Sequence, residues 1–325
     1  TKSRRLGIIS GGPQNSAGEA YIVEVREKLE KLRRNGITLD ISGSAEYKRG
    51  GTRFGGRPDV PRGFEWPTFD CCENTKKEKK GIFSFLSQNK GNHDESKASG
   101  ARPLSFLAQF DCAELARYDT ERMLPDHGVL SFFYEMDSMR WGHDPKDKGC
   151  ARVYWFEDSA ALEEAEFPED LAEDYRFPAL AVKMRAEPSL PGWEDFTEIY
   201  PEEAESGDEG DEFFTVRAEL GDDDPDERSK LLGWADAIQG SMPAECELVT
   251  RGYYLGGCDE IPKNEVEEAE KEAPDKWLPL FQLDTVADGD FELMFCDCGR
   301  LYFYITRDDL AARRFENVWL ILQCY

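Results

Sequence analysis

Along the first forty residues the chain changes pattern once. "SAGEAYIVEVREKLEKLRRNG" (16–36) reads as a helix with defined ends. Ser16 and Glu19 stand at the spacing of a capping box, in which each side chain satisfies the other's orphan backbone N–H. Arg33 and Arg34 suit the negative C-terminal end of a helix, and Asn35-Gly36 supplies a left-handed stop. "ITLDIS" (37–42) then predicts a strand. Further on, "LSFLAQFD" (104–111) alternates: Leu104, Phe106, Ala108 and Phe110 share one face, with Gln109 and Asp111 on the other beside Leu107. Asp111, with Glu114 three residues on, predicts the N-cap of a short helix, and Thr306 with Asp309 predicts another.

Between these patterned stretches lie three polar ones. Residues 74–100 carry one apolar patch in a polar run, 157–174 hold nine acids and no base, and 201–228 hold thirteen acids against Arg217 and Arg228. Such runs predict solvated insertions and mobile acidic loops. "DDDPDE" lacks the glycine and the ligand spacing of a calcium loop.

The pattern also repeats. "LSFLAQFD" matches "LPLFQLD" (278–284), pairing Gln109 with Gln282 and Asp111 with Asp284. "PDHGVLSFFY" (125–134) matches "CDCGRLYFYI" (296–305), pairing Asp126 with Asp297 and Gly128 with Gly299. "RVYWF" (152–156) resembles "NVWLI" (317–321) as a closing strand, and "FGGRPDVPRGFEWP" (54–67) pairs more weakly with "LLGWADAIQGSMP" (231–243). Two self-similar units predict a duplicated supersecondary arrangement. The fold class expected is α+β: two β-rich repeats with short helices and hairpins, plus an N-terminal helix. The expected boundaries are 1–49 for the N-terminal helix and strand, 50–200 for the first repeat with its insert near 74–100, 201–228 for an acidic loop, and 229–325 for the second repeat.

The repeat decides how the two cysteines of "FCDCGRLYFYI" are read. Cys296 aligns with Pro125, which cannot ligate a metal, and Cys298 with His127, while Asp and Gly recur in both copies. Asp-x-Gly between apolar runs is hairpin chemistry, so Asp126, Gly128, Asp297 and Gly299 are expected to be structural turn residues, each glycine taking positive φ. No metal site and no cofactor is expected. The glutamines are different: a polar side chain on a mostly apolar strand must find a partner. Backbone groups are the favoured partners and a ligand is the alternative, in which case Gln109, Gln282, Trp66 and Trp234 would converge on a cleft between the repeats.

Composition narrows the function classes. Hydrophobic residues make up 40% and aromatics 12% of the 325, enough for a large core. No apolar run reaches membrane-spanning length, and the apolar part of "TKSRRLGIISGGPQ" is too short for a signal peptide. Nine irregularly spaced cysteines suit reduced thiols and a cytoplasmic location. The net charge is −27; residues 1–100 carry +6, leaving −33 for the other 225. Such a field disfavours nucleic acid and anionic membranes and favours a basic partner.

Five ordered motifs, "GGRPDVPRGFEWP", "PLSFLAQFD", "LPDHGVLSFFY", "LLGWADAIQG" and "DCGRLYFYITRDDLAARRFENV", resemble the YwqG-like family of bacterial domains of unknown function over about residues 50–325. The resemblance implies a complex α+β fold with two structural repeats. It implies no established activity, and for some relatives it implies proximity to toxin genes, hence immunity or accessory roles.

The enzyme reading is weak. No nucleophile elbow, zincin, P-loop or dinucleotide motif occurs, and nothing in the spacing supports a pairing of Cys112 or Cys150 with His143. The expected function is a non-catalytic cytoplasmic interaction protein that neutralises or associates with a basic partner such as a bacterial toxin. The alternative is a small-molecule-binding module, or an uncharacterised enzyme, with its site between the repeats.

Overall fold

The computed structural model describes residues 13–70, 100–204, 211–222, 228–257 and 260–325; the side chains of 13–19 and 211 lie outside that description. Most of the 74–100 insert therefore lies outside the described residues.

Ten strands make one antiparallel sheet: β1 (Arg34–Ser44), β2 (Arg53–Phe54), β3 (Ser105–Asp111), β4 (Val129–Tyr134), β5 (Ala151–Phe156), β6 (Leu180–Ser189), β7 (Ser229–Leu232), β8 (Trp277–Leu283), β9 (Arg300–Thr306) and β10 (Trp319–Gln323). Their order is β10-β9-β8-β7-β1-β6-β2-β3-β4-β5. It reads alike from either edge. Four strands from the C-terminal part of the chain lie on one side, four from the N-terminal part on the other, and β1 and β6 fill the centre. β1 and β6 pair over most of their length, from Arg34↔Ser189 to Ile41↔Val182.

The sheet curls until its edges nearly meet. Inside the curl a single apolar cluster draws on both halves: the rings of Phe132 and Phe281 are 4.6 Å apart, those of Phe110 and Phe281 5.7 Å, and those of Phe132 and Phe303 5.3 Å. The edge β10 is met by the segment after β4, where Leu322 N–H donates to Trp141 O at 3.0 Å. Gly142 makes that approach possible, because a Cβ there would fall 1.7 Å from Leu320 O. Outside the curl, the helices Pro243–Thr250 and Lys263–Lys276 cover β8–β10, burying Cys246, Val249 and Ala273 against Trp277, Tyr302 and Trp319.

Several expectations are corrected. The first helix runs Pro13–Leu32, so Ser16 stands inside it and is not its cap. Nor do Asn35 and Gly36 stop it. The Leu32 carbonyl is taken by Trp234 Nε1 at 2.8 Å, and the chain passes straight into β1, with Asn35 and Gly36 paired to Pro188 and Glu187. The 201–228 stretch is not simply a loop. Pro201–Ala204 and Asp211–Glu219 are helical, and Phe213 and Val216 pack with Val25, Leu29 and Phe196 under the N-terminal helix. In the acidic run 157–174, Leu162–Glu164 forms a two-stranded ribbon with Asp59–Pro61, and Glu164 is held by Arg57. The expected caps are present: Asp111 accepts from Ala113 N at 3.0 Å, and Thr306 Oγ1 from Asp309 N at 3.1 Å.

The two turns differ. Gly128 takes φ +79° as expected. Gly299 does not; positive φ falls instead on Cys296 (50°) and Cys298 (51°). Gly299 is needed for space, since a Cβ there would lie 2.6 Å from Phe295 O and 2.7 Å from Gln323 O. Asp126 sits 2.7 Å from the His127 ring, and Asp297 O accepts from Tyr325 N. Among the described residues no group of His, Cys, Asp or Glu is arranged to hold a metal.

Candidate functional site

A buried amide needs two donors and an acceptor answered, and both glutamines have this done by the protein itself. Gln109 is fully buried in β3, opposite Arg53. Its Oε1 accepts from Asp59 N at 2.9 Å, and its Nε2 donates to Gly51 O at 2.9 Å and Asp59 Oδ2 at 2.8 Å. Arg53 Nη1 donates to the same Oδ2 at 2.9 Å.

Gln282 in β8 lies opposite Lys230. Its Oε1 accepts from Asp236 N at 2.8 Å, and its Nε2 donates to Arg228 O at 2.6 Å and Asp236 Oδ2 at 2.8 Å. Lys230 Nζ donates to Asp236 Oδ1 at 2.8 Å. Even the flanking bond recurs: Asp111 N donates to Thr52 Oγ1, and Asp284 N to Ser229 Oγ, each at 3.0 Å. The second cluster is larger, with Arg228 and Arg217 both reaching Asp222, and Arg300 and Tyr302 donating to Asp236 O.

These clusters brace the sheet and do not converge. β7, β1, β6 and β2 lie between the strands of the two glutamines. Alternation points their side chains away from the interior where Phe110 and Phe281 meet. Trp66 is also elsewhere, its Nε1 donating to Leu104 O at 2.9 Å and its rings meeting Phe133 edge-on. Trp234 lies under the N-terminal helix, with the Arg34 guanidinium 3.4 Å from its ring centroid. The acids Asp59 and Asp236 are the members that strand alternation missed. A signal existed: Gly51 to Asp59 and Arg228 to Asp236 are equal steps in the weakly matched "RPD" and "WAD" segments.

The buried thiols of Cys112, Cys150 and Cys246 are not poised for chemistry. Burial pushes Cys112 up to about 12 and raises Cys150 and Cys246 well above the usual range. His143 instead faces Glu245, Nε2 to Oε2 at 3.8 Å, and burial lowers its pKa.

A second group of titratable residues comes together only in the fold. The helix Trp193–Ile199 brings Asp195 and Glu198 to Ser241, whose Oγ lies 2.7 Å from Asp195 Oδ1 and 2.8 Å from Glu198 Oε2. One hydroxyl proton serves only one carboxylate, so the second contact is satisfied when the other carboxyl is protonated. Burial raises Asp195 to about 6; burial, then Asp195 and Glu270, raise Glu198 to about 7; burial and Glu198 raise Glu245 to about 7. Glu245 Oε2 is buried without a hydrogen-bond partner. Burial first, and then the repulsion of Glu198 by Asp195 and Glu270 and of Glu245 by Glu198, makes this cluster receptive to a proton or a cationic group.

The sign of the resulting pH dependence follows from linkage. Folded-state carboxyl pKa values raised above the unfolded values mean that the folded protein binds more protons between about pH 4 and 7, so stability falls as pH rises through that window. His143, lowered by burial, opposes this below about pH 6.5. Asp195→Asn keeps an acceptor for Ser241 and removes the buried charge. It is expected to raise stability near pH 8 by about 1–3 kcal/mol and to flatten the fall between about pH 4 and 6, read as melting temperature against pH. An unchanged slope would contradict this assignment.

The fold and these clusters define an α+β protein in which two buried carboxylate–glutamine clusters brace one curled antiparallel sheet. The chain belongs to the family described as a domain of unknown function, DUF1963, whose pattern matches residues 52–324. No curated protein matches the chain. Among the described residues no helix is long and apolar enough to cross a membrane.

Proposed function

We propose that this chain is a non-catalytic, cytoplasmic, YwqG-like binding protein whose carboxylate face captures a basic protein partner, such as a bacterial toxin. The observation that carries the reading is the cluster of Glu198, Glu245 and Glu270 around the buried Asp195, only partly offset by Arg34, Lys230 and His143, set in a chain of net charge −27. Beside it, the helix Lys263–Lys276 exposes Glu267, Glu268, Glu270 and Glu272. Arg251 neutralises part of that ridge, contacting Glu265, Glu268 and Glu272. A Lys or Arg supplied by a partner relieves the remaining repulsion, so the same charges that weaken the free protein favour the complex. Electrostatic steering of this kind acts chiefly on association rate and weakens with salt.

We also infer that the chain is internally duplicated. The matching edges of the sheet and the recurring Gln–Asp–cation clusters support this, and β1 and β6 then form the seam between the copies. The duplicated scaffold is the rigid support, and the carboxylate face lies on its C-terminal half.

The reading is tested by capture from source-cell lysate at low and at high salt. A stoichiometric basic protein held at low salt and released at high salt is the expected result. The same protein held equally at both salts, or no basic protein at either, would count against it.

A further inference from the structure

Despite its strongly negative charge, the chain carries a recess in which the balance is reversed. A cavity of about 280 Å³ is lined on its charged side by Lys31, Arg33, Arg34 and Arg307, against Glu121 and Asp275. Arg34 opens β1, stacks on Trp234, and makes one long hydrogen bond, Nη1 to Gly233 O at 3.4 Å. No carboxylate of the described residues forms an ion pair with it. Glu121 is already engaged, its Oε1 accepting from Asn35 N at 2.8 Å. Arg307 donates through Nε to Asp275 O at 2.7 Å, and its terminal nitrogens find no partner among the described residues.

The helix ends explain only part of the arrangement. Lys31 and Arg33 suit the C-terminus of the Pro13–Leu32 helix. Arg307 is the first residue of the helix Arg307–Ala311, where a cation is disfavoured, yet it stands close enough to Arg34 for repulsion. Burial, and then the Arg307 charge, pulls Arg34 down to about 10. In the larger cavity of about 440 Å³ on the outer surface, Lys276 and Arg314 are instead paired with Glu247 and Asp309.

We propose that this recess binds a small organic anion bearing a carboxylate or phosphate group, held between the guanidinium groups of Arg34 and Arg307. Guanidinium suits both groups because its planar donors match two oxygens at once. The volume falls just below the usual range for ligand pockets, roughly 300–1,000 Å³, which restricts the ligand to a small body. Asp195 of the carboxylate group acts on Arg34 through space but forms no ion pair with it.

The test is thermal unfolding in inorganic phosphate, in succinate and in sodium chloride at equal ionic strength, which separates binding from the screening that any salt gives an acidic protein. Phosphate or succinate is expected to raise the native midpoint above the chloride control. Whichever acts identifies the anion's chemistry. Arg307→Ala, at an exposed position, is expected to keep the native midpoint in chloride and to weaken apparent anion affinity by at least about tenfold. Arg34→Met, which retains an aliphatic stem over Trp234, is expected to do the same; if it fails to fold, Arg307→Ala decides. The proposal is overturned if neither anion exceeds chloride on the native protein, or if Arg307→Ala retains the full excess.

Discussion

Asp236→Ala is expected to lower the free energy of unfolding by about 3–5 kcal/mol, because breaking a buried charge cluster leaves its cations uncompensated. Asp236 is almost wholly buried and accepts from Arg228, Lys230 and Gln282. Without it Lys230, itself buried, keeps no ion pair among the described residues, and Gln282 Nε2 loses one of its two acceptors. Set against a typical domain stability of about 5–15 kcal/mol, the loss brings the chain near its limit. The pH dependence has the opposite sign to that of Asp195. Burial works against ionisation, but Lys230 and Arg228 hold Asp236 well below the usual carboxylate range. Its contribution is therefore complete above the unfolded value of about 3.9 and is lost as pH falls through the folded value. Denaturant unfolding near neutral pH checks the magnitude, and a loss under about 1 kcal/mol would contradict it.

Asp59→Ala is expected to cost a similar amount, about 3–5 kcal/mol, in the other half of the sheet. Asp59 is fully buried and accepts from Gly50 N at 2.8 Å, Arg53 Nη1 at 2.9 Å, Gln109 Nε2 at 2.8 Å and Tyr47 Oη at 3.1 Å. Its loss leaves the Arg53 guanidinium, 4% exposed, with the Arg57 carbonyl as its remaining hydrogen-bond acceptor among the described residues. Asp59→Asn is expected to lose less, since the amide retains an acceptor while giving up the charge. Equal losses for Ala and Asn would show that the charge, and not the hydrogen bonds, carries the cluster.

The glutamines were legible because each is a polar residue on an apolar strand, at matching places in two similar segments. Their acidic partners were harder to see. Asp59 and Asp236 lie about fifty residues upstream, behind neighbours that differ: Pro58 and Arg57 in one copy, Ala235 and Trp234 in the other. The end of the first helix is hidden from its local sequence for a similar reason. Asn35-Gly36 has the local chemistry of a stop, but Trp234, some two hundred residues away, takes the Leu32 carbonyl, and β6 claims Asn35 and Gly36. Arg34, which suits a helix end by sequence, becomes a strand residue lying on an indole. The carboxylate group is invisible to periodicity because Asp195 and Glu198, Ser241, Glu245 and Glu270 come from separate segments that meet only through packing. Acid runs were legible as charge, but their structure was not: Phe213 and Val216, set among acids, are core residues.

The most direct test of the central claim is calorimetric titration of the captured basic partner into the native protein and into a Glu198→Gln, Glu245→Gln, Glu270→Gln triple variant. All three substitutions leave the braced sheet untouched and remove repulsion, so the variant is expected to be at least as stable as the native protein. Its affinity for the partner is predicted to fall by at least about tenfold, equivalent to about 1.4 kcal/mol, with a shallower salt dependence. Native affinity and native salt dependence in the folded variant would contradict the account, and would show that these carboxylates are not the surface that the partner reads.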